Sequence, residues 1–387
     1  MQKLALFIIF LCISTSILAQ QNDSIGRKSN LVPKISLSND SSTIFKSKKK
    51  WLESDSIDMA ELKIGGYVST YYAYYDDETI QQGFVQFPTM APRNKEFGLN
   101  MALIDMHYTS THIRGNLGLH FGDIAQSVWP QQYNMIQEAN AGVKLVKRLW
   151  LDAGFFRSHI GVESTQPREN ITSSMSLVNV YEPYYFAGAK LTYELNSKLS
   201  LQINAFNSYA SLVDNNKNKL IGTSITYAPN DNLSLTYNFL TGNENPDSIK
   251  TKQQRNYNNF YLTYTSNKIL VAAEANYGWQ TNSLKKDSTK SAKVYSGLIV
   301  FKYQASKQVG FYGREELFSD KDQILTGTTN IGNFIYGTTI GVEYKPFKKM
   351  ALSIEDRLLQ SDNLIFKQGN NITNYRNEVI FCLDLWF

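Results

Sequence analysis

Apolar and polar residues alternate with a period of two through most of the chain. In the stretch 233–239, of sequence LSLTYNF, the odd positions are apolar and the even ones polar, and 199–205, of sequence LSLQINA, repeats the pattern. Such alternation places one face of a β-strand in an apolar medium and the other in a polar one. The segments with this pattern are 61–75, 97–109, 112–122, 136–146, 149–158, 184–195, 199–209, 219–227, 233–242, 256–265, 268–280, 293–303, 308–318, 333–344, 350–360 and 375–387.

The lengths of these segments and of their connections predict strands that cross a membrane. About ten residues is the length of a tilted strand that spans a hydrocarbon layer. Long and short connections alternate strictly, and short turns such as 196–198, 228–232 and 266–267 consist of turn-forming residues. A soluble β-sandwich also has many short strands, but nothing in it forces this alternation. The long connections are 76–96, 123–135, 159–183, 210–218, 243–255, 281–292, 319–332 and 361–374.

Aromatic residues mark one end of the predicted strands. Six tyrosines stand near the ends of even-numbered segments, just before a short turn, and the last segment ends in Trp386 and Phe387. Amphipathic rings prefer the interface between membrane and water, so we expect these residues to form one belt. The six tyrosines are Tyr108, Tyr193, Tyr227, Tyr264, Tyr303 and Tyr344.

Composition agrees with strands that are apolar on one face and wet on the other. The 387 residues include more Tyr (24) than Phe (21), and the mean hydropathy is −0.32. A water-soluble core would favour Phe, because each buried Tyr hydroxyl needs a hydrogen-bond partner. The net charge of +5 is spread along the chain, which does not suggest a nucleic-acid partner.

The first nineteen residues predict export from the cytoplasm. Lys3 precedes an apolar run over 4–13, and small residues lead to Ala19, as in a cleaved signal peptide. Residues 20–60 are polar and predict a mostly disordered segment. Cleavage would leave Cys382 alone, so the mature chain could form no internal disulfide. The domain prediction is a signal peptide over 1–19, a polar segment over 20–60 and a barrel over 61–387.

Several short motifs resemble the OmpL-like β-barrel porin family. They are GGYV at 65–68, DAGFFRSHIG at 152–161, EPYYFAG at 182–188, GREE at 313–316 and EDR at 355–357. The resemblance covers about 61–387. A terminal Phe387 on an alternating strand also resembles the C-terminal signal by which outer-membrane barrels reach the insertion machinery.

The predicted fold is therefore all-β: a transmembrane antiparallel up-and-down barrel of about sixteen strands, with short periplasmic turns and long extracellular loops. Barrels of 16–18 strands leave an aqueous channel, so the predicted function is a porin for passive diffusion of small polar solutes through the outer membrane of a Gram-negative bacterium. The alternatives are a non-conducting barrel with an adhesin or structural role and, third, an outer-membrane hydrolase. The expected partners are lipid, the barrel-assembly machinery and small polar solutes, without nucleic acid; assembly of several copies stays open.

Charged residues of the last strands predict the lining of the pore. They are expected to face inward in the upper half of the wall, beside a strand that turns the small residues Gly337, Thr339 and Gly341 inward. One interpretation is a strip that orients solutes, and the other is a wall held together by Arg–Glu pairs. The candidate residues are Arg314, Glu316, Glu355, Arg357, Arg376 and Glu378.

The connection 159–183 is the longest and is the candidate constriction. It would either fold into the lumen, carrying Arg168 and Glu169, or form an extracellular flap. Asp105 and His107 share a strand face, but a hydrolase needs a nucleophile beside such a pair, and spacing shows none. We therefore predict ordinary lumen lining there, with no catalytic residue, metal or cofactor.

Overall fold

A computed structural model describes residues 60–78, 80–81, 83–85, 87, 90–214, 216–327 and 334–387. The predicted signal peptide and nearly all of the predicted polar segment lie outside the described residues. Neither helix in the described part of the chain, α1 (Asp123–Val128) or α2 (Leu177–Val180), is long and apolar enough to cross a membrane.

Sixteen antiparallel strands close into one barrel, each paired with its neighbours along the chain. Two further hairpins, β2 (Ile80–Gln81) with β3 (Phe84–Val85) and β18 (Phe366–Gln368) with β19 (Asn371–Thr373), lie in the long connections. The wall strands are β1 (Glu61–Tyr75), β4 (Phe97–Thr109), β5 (Ile113–Phe121), β6 (Ile136–Val146), β7 (Leu149–Arg157), β8 (Tyr185–Glu194), β9 (Leu199–Phe206), β10 (Leu220–Tyr227), β11 (Leu233–Asn243), β12 (Gln254–Thr265), β13 (Ile269–Gln280), β14 (Ala292–Gln304), β15 (Val309–Ser319), β16 (Ile335–Phe347), β17 (Met350–Ser361) and β20 (Tyr375–Trp386).

The predicted fold is confirmed, and most predicted strand bounds agree with the structure within two residues. The largest differences, of three residues, are at the ends of β16, which runs on to Phe347, and of β9, which stops at Phe206 although the alternation runs to 209. There the Asn207 amide donates to the carbonyl of Ala187 (2.9 Å), and Ser208 forms an isolated bridge with Ser211. The chain thus turns back on itself, which the alternation cannot register.

The first and last strands close the barrel. Strands β1 and β20 pair side by side, with Tyr67 opposite Trp386. The Phe387 amide donates to the Gly66 carbonyl (3.0 Å), and the Gly66 amide donates back to Phe387 (3.2 Å). A Cβ added at Gly66 would lie 2.1 Å from the Phe387 ring, so this glycine makes room for the terminal aromatic. The role of Phe387 as an insertion signal stays a prediction.

The two faces of the wall differ as the alternation predicts. Ile203 is 57% exposed on the outer face of β9, whereas its neighbour Asn204 is 1% exposed on the inner face. All six predicted belt tyrosines are exposed on the outer face at the short-turn end. A second group of exposed rings stands at the long-loop end and includes Tyr277 stacked on Tyr295 at 6.4 Å between ring centroids.

The two-faced wall leads to a test by charge substitution. We expect Ile203→Lys to destabilise the barrel by about 2–4 kcal/mol, because the charge would face lipid near the middle of the bilayer. The matched variant Gln202→Lys lies on the inner face of the same strand, is only half-buried, and should cost much less. Unfolding titrations from lipid vesicles measure both variants, and equal losses would contradict the assignment of faces.

Candidate functional site

The connection between β7 and β8, residues 158–184 and hereafter the lumen loop, lies inside the barrel. The Val162 amide donates to Glu274 on the inner face of β13 (2.7 Å). On another part of the wall, the Ser173 amide donates to Glu355 of β17 (2.7 Å). A loop that reaches inward-facing carboxylates on two such strands occupies the lumen. The structure thus selects the lumen over the alternative of an extracellular flap.

The lumen loop has an ordered structure of its own. The Ser176 hydroxyl accepts a hydrogen bond from the Asn179 amide (3.1 Å), which caps the N-terminus of α2. The same hydroxyl donates to Glu163 (2.7 Å), and Asn179 donates its side-chain amide to the Glu163 carbonyl (3.1 Å). These contacts tie the two arms of the loop together and hold a defined conformation within the barrel.

Apolar side chains of the lumen loop pack against one part of the wall. Inward positions of a barrel with a wide aqueous lumen are expected to be polar, yet several of them on β12–β15 are apolar and buried. The loop covers this region and removes it from water, which gives the loop a hydrophobic seat. The cluster consists of Val162, Ile171 and Val178 of the loop with Tyr261, Leu270, Ala272, Leu298, Val300 and Tyr312 of the wall.

Two glycines stand opposite each other in the strands that carry the lumen loop. Gly154 of β7 pairs with Gly188 of β8, and both have positive φ (132° and 154°). A Cβ added at Gly154 would lie 2.3 Å from the carbonyl oxygen of Ala139. Only glycine tolerates both this conformation and this close approach, so the motif DAGFFRSHIG contains a residue that the local backbone requires.

A ladder of arginines and glutamates crosses the wall beneath the lumen loop. Arg357 of β17 contacts Glu316 of β15 (2.6 Å) and Glu378 of β20 (3.3 Å). Glu316 also contacts Arg314 (3.4 Å), and Glu378 also contacts Arg376. Positive and negative side chains alternate along the ladder, so each has at least one oppositely charged neighbour. These contacts offset the free-energy cost of removing the charges from water.

Small residues of β16 make the ladder possible. This strand lies between β15 and β17, so the side chains of Glu316 and Arg357 must cross it to meet. A Cβ added at Gly337 would lie 2.5 Å from the Glu316 carboxylate, and one at Gly341 would lie 2.3 Å from the Tyr312 ring. The prediction that this strand leaves room for long side chains is therefore confirmed.

Loop carboxylates complete the ladder at both ends. Glu163 of the lumen loop contacts Arg314 (2.9 Å), and Asp77 of the connection after β1 contacts Arg376 (3.4 Å). Glu355 accepts hydrogen bonds from both Ser173 and Ser174 of the lumen loop. The wall charges are thus the anchor points of two long connections that fold inward.

The predicted pore-lining residues face the lumen, but none of them is open to water. All six side chains, from Arg314 to Glu378, belong to residues that are at most 4% exposed, because the inserted connections cover them. Their geometry matches the interpretation of a wall held by Arg–Glu pairs more closely than that of a strip that contacts solutes. Direct contact of these six residues with a passing solute stays an untested prediction.

A carboxyl group of the lumen loop faces a second carboxyl group. Glu182 accepts hydrogen bonds from the Asn276 side chain (2.8 Å) and the Tyr257 hydroxyl (3.2 Å), beside Glu274. Burial, followed by repulsion from Glu274, raises the pKa of Glu182 well above its usual range. Above the ordinary carboxyl pKa, Glu182 keeps its proton in the folded state, whereas the unfolded chain loses it. This group therefore lowers the free energy of unfolding as the pH rises above the ordinary carboxyl range.

The opposite part of the lumen, along β4–β6, carries polar side chains that remain accessible to water. His107, Arg114, Asn116, Asn140 and Lys144 are all half-buried, and the side chain of His107 is 41% exposed. Most residues beside them in the sequence carry exposed apolar side chains on the outer face of the wall. Because successive side chains of a strand point to opposite faces, these five groups face the lumen. The short-turn part of this wall is therefore polar and wet, whereas inward residues nearer the long loops, such as His120 and Gln137, are buried.

The two candidate constriction residues have different surroundings. Glu169 is buried and paired with Arg157 at the end of β7, which also bonds Ser164. Arg168 is half-buried and lies over the ring of Tyr67, 5.2 Å from its centroid. The structure thus gives the two residues different partners, and Arg168 is the less buried of them.

Four charged residues of this region were not singled out from the sequence. Asp77 and Glu163 lie in loops, where no periodicity indicates direction. Arg157 is at an odd position of β7, which alternation assigns to the outer face, but the strand ends there. Lys302 does follow the inward pattern of β14 and contacts Glu343 (2.6 Å), so the alternation could have identified it.

The ladder yields a prediction about stability. Arg357→Met removes the central cation and leaves two buried carboxylates with one partner each. We expect a loss of about 3–5 kcal/mol in the free energy of unfolding, because a buried charge that loses its partner keeps its desolvation cost. Unfolding titrations of the inserted barrel measure this loss.

The matched control is Lys63→Met, which removes an exposed cation 3.3 Å from Glu61. An exposed pair contributes about 0–1 kcal/mol, so this change should be nearly neutral. Adding Glu316→Gln to Arg357→Met should recover part of the loss. A loss for Arg357→Met no larger than for the control would show that the ladder does not hold the wall.

The sequence matches a family model over the whole barrel. The family is described as "Putative beta-barrel porin-2, OmpL-like", and the match covers residues 61–387. No curated protein sequence matches the chain.

Solved barrels from several bacteria share the fold. The outer membrane channel DcaP of Acinetobacter baumannii aligns with a TM-score of 0.62 and 12% identity over 85% of this chain and 97% of its own. The anion-selective porin of Comamonas acidovorans aligns with a TM-score of 0.57 and 10% identity, over 85% and 100%. OmpT of Vibrio cholerae in a trimer form gives 0.52 and 12%, over 85% and 100%. At these identities the likeness concerns the fold alone.

The family match and the architecture agree in extent, since both cover the sixteen strands from Glu61 to the end of the chain. The chain belongs to the OmpL-like β-barrel porin family and is an outer-membrane channel.

Proposed function

We propose that the chain forms a water-filled channel for passive diffusion of small polar solutes, and that the path runs along β4–β7. The lumen loop packs along β12–β17 and, nearer the long loops, also reaches β6, where Gln166 donates to Gln137 (2.8 Å). Solutes would pass between this loop and the opposite wall. No energy source is required, because flux follows the solute gradient.

One observation carries this proposal: the burial of lumen-facing polar groups is unequal around the barrel. In the short-turn half of the barrel, Lys302 and Tyr312 on the loop side are at most 6% exposed, whereas Arg114, Asn116 and Lys144 on the other side are accessible to water. A barrel filled throughout would bury both sets, and an unobstructed barrel would expose both. The asymmetry supports a narrowed aqueous path beside a fixed loop.

The charges along this path favour polar solutes without strong selection for one sign. Arg114 is paired with Asp152 and lies over the ring of Trp150, 4.5 Å from its centroid. Lys144 lies over the same ring at 5.3 Å. Arg168 contributes a cation from the loop side, and the carboxylates of Asp152 and Glu138, although buried, supply negative charge from β7 and β6. A lining of mixed sign orients dipolar solutes but forms no single-sign filter.

The two alternatives fit the geometry less well. A non-conducting adhesin or structural barrel gives no reason for accessible charged groups inside the lumen. A hydrolase needs its histidine to face a nucleophile, but the ring nitrogens of His107 meet Asp105 (2.8 Å) and the side-chain oxygen of Asn116 (2.6 Å). We therefore propose a channel without enzymatic activity.

Export and assembly complete the proposal. The signal over 1–19 would direct the chain out of the cytoplasm, and Phe387 would present the last strand to the barrel-assembly machinery. The exposed apolar outer face would meet lipid. Assembly into a homo-oligomer also belongs to the proposal, in line with the trimer form of the structurally similar OmpT of Vibrio cholerae.

Excision of the lumen loop tests the proposed path. Replacing 165–180 by a short Gly-Ser link should leave the wall folded and raise single-channel conductance about two-fold or more, because conductance grows with the open cross-section. The ion selectivity should also shift, because Arg168 is removed and the ladder becomes accessible. Planar-bilayer recordings with salt gradients measure both quantities.

The control excises 284–289 from an exposed loop in the same way, and its conductance should match that of the parent. A parent protein that never conducts would favour the non-conducting alternative. Equal conductance of the parent and the 165–180 variant would show that the loop does not narrow the path.

A further inference from the structure

Three metal-ligating side chains converge on the wet side of the lumen. Asp105 and His107 of β4 and Glu138 of β6 each offer one ligand atom, and these atoms all lie within 4.8 Å of one another. We propose that this cluster binds a divalent transition-metal ion of the Zn²⁺ or Ni²⁺ class. The inference goes beyond passive diffusion and differs from the prediction of ordinary lumen lining at this pair.

The hydrogen bonds of His107 require a positive charge at this point. Nδ1 lies 2.6 Å from the side-chain oxygen of Asn116, and Nε2 lies 2.8 Å from a carboxylate oxygen of Asp105. The neutral ring carries only one N–H, so the second nitrogen would present a lone pair to an oxygen. A proton or a metal ion must stand between them, and a bound metal ion would also meet the second carboxylate, that of Glu138.

The neighbouring amides orient the ligands as they do around metal sites in proteins. When Nδ1 donates to Asn116, the tautomer is fixed and the Nε2 lone pair points toward the carboxylate. Asn116 in turn donates to Asn140 (3.0 Å), and Asn140 donates to Glu138 (3.2 Å). One chain of amides thus positions both the imidazole and the second carboxylate from behind.

An unsatisfied oxygen provides an independent indication. The carboxylate of Asp105 is bound through Oδ2, but Oδ1 is buried and has no hydrogen-bond partner among the described residues. Asp105 as a whole is 9% exposed, so bulk water does not satisfy this atom freely. A cation bound by this carboxylate would neutralise the negative charge that its hydrogen bond to His107 does not compensate.

The ligand set defines the class of ion. One imidazole nitrogen and two carboxylates suit the borderline ions Zn²⁺ and Ni²⁺ better than Mg²⁺ or Ca²⁺, which prefer oxygen alone. Two carboxylates also balance the charge of a divalent ion. The ligand atoms, which lie within 4.8 Å of one another, would draw closer around zinc, because its ligands stand about 2.0–2.2 Å from the ion. The accessible face of His107 gives the ion an entry from the lumen and leaves coordination positions for water.

Zinc titration of the purified, folded barrel tests the proposal independently of conduction. Calorimetry with Zn²⁺ should show one site per chain, and His107→Ala should weaken it by about ten-fold or more, as Glu138→Gln should. His112→Ala is the matched control, because this histidine is exposed in the turn after β4 and should leave zinc binding unchanged.

Gel mobility of the unheated barrel confirms that each variant is folded. If His107→Ala does not fold, Glu138→Gln still tests the site, because glutamine has nearly the same shape as glutamate. Absence of zinc binding in the parent would overturn the proposal and leave a protonated His107. Equal affinity in the parent and both site variants would also overturn it. Zinc binding in a barrel that does not conduct would support the metal site and count against the proposed channel.

Discussion

Every backbone amide and carbonyl within the hydrocarbon layer must find a partner inside the protein, because lipid offers none. A sheet meets this requirement only when its first and last strands pair, which is what β1 and β20 do. The mutual hydrogen bonds of Gly66 and Phe387 continue this pairing to the end of the chain. Closure fixes the alternation of faces all around the wall, and so determines which side chains can meet inside.

Inside this wall, buried charges hold the inserted connections together with apolar clusters. The ladder from Arg314 to Arg376 offers fixed charges to the inserted connections, and Glu163 and Asp77 complete it from the loop side. Burying such ion pairs costs free energy, and separating a buried pair also costs free energy. One defined position of the loop is therefore favoured over many. The short-turn half of β4–β6 stays accessible to water, whereas Gln137 and Glu138 nearer the long-loop end are buried. The polar path and the proposed metal cluster both lie along these strands.

The sequence predicts the wall well and the interior poorly, for a physical reason. Alternation reports which face of a strand meets lipid, so it identified all sixteen strands and the inward direction of Arg314, Arg357 and Arg376. It carries no information about what a loop does once it leaves the wall. The burial of the ladder, the role of Glu163 and the different partners of Arg168 and Glu169 all depend on the fold of the lumen loop.

The central claim is that water reaches one side of the lumen while the loop seals the other. Single cysteines report this directly, because the native Cys382 is buried. A charged, membrane-impermeant thiol reagent should react with Asn116→Cys and lower the single-channel current in a step, while Thr339→Cys under the loop should leave it unchanged. A current that falls equally in both variants, or only in Thr339→Cys, would contradict this account.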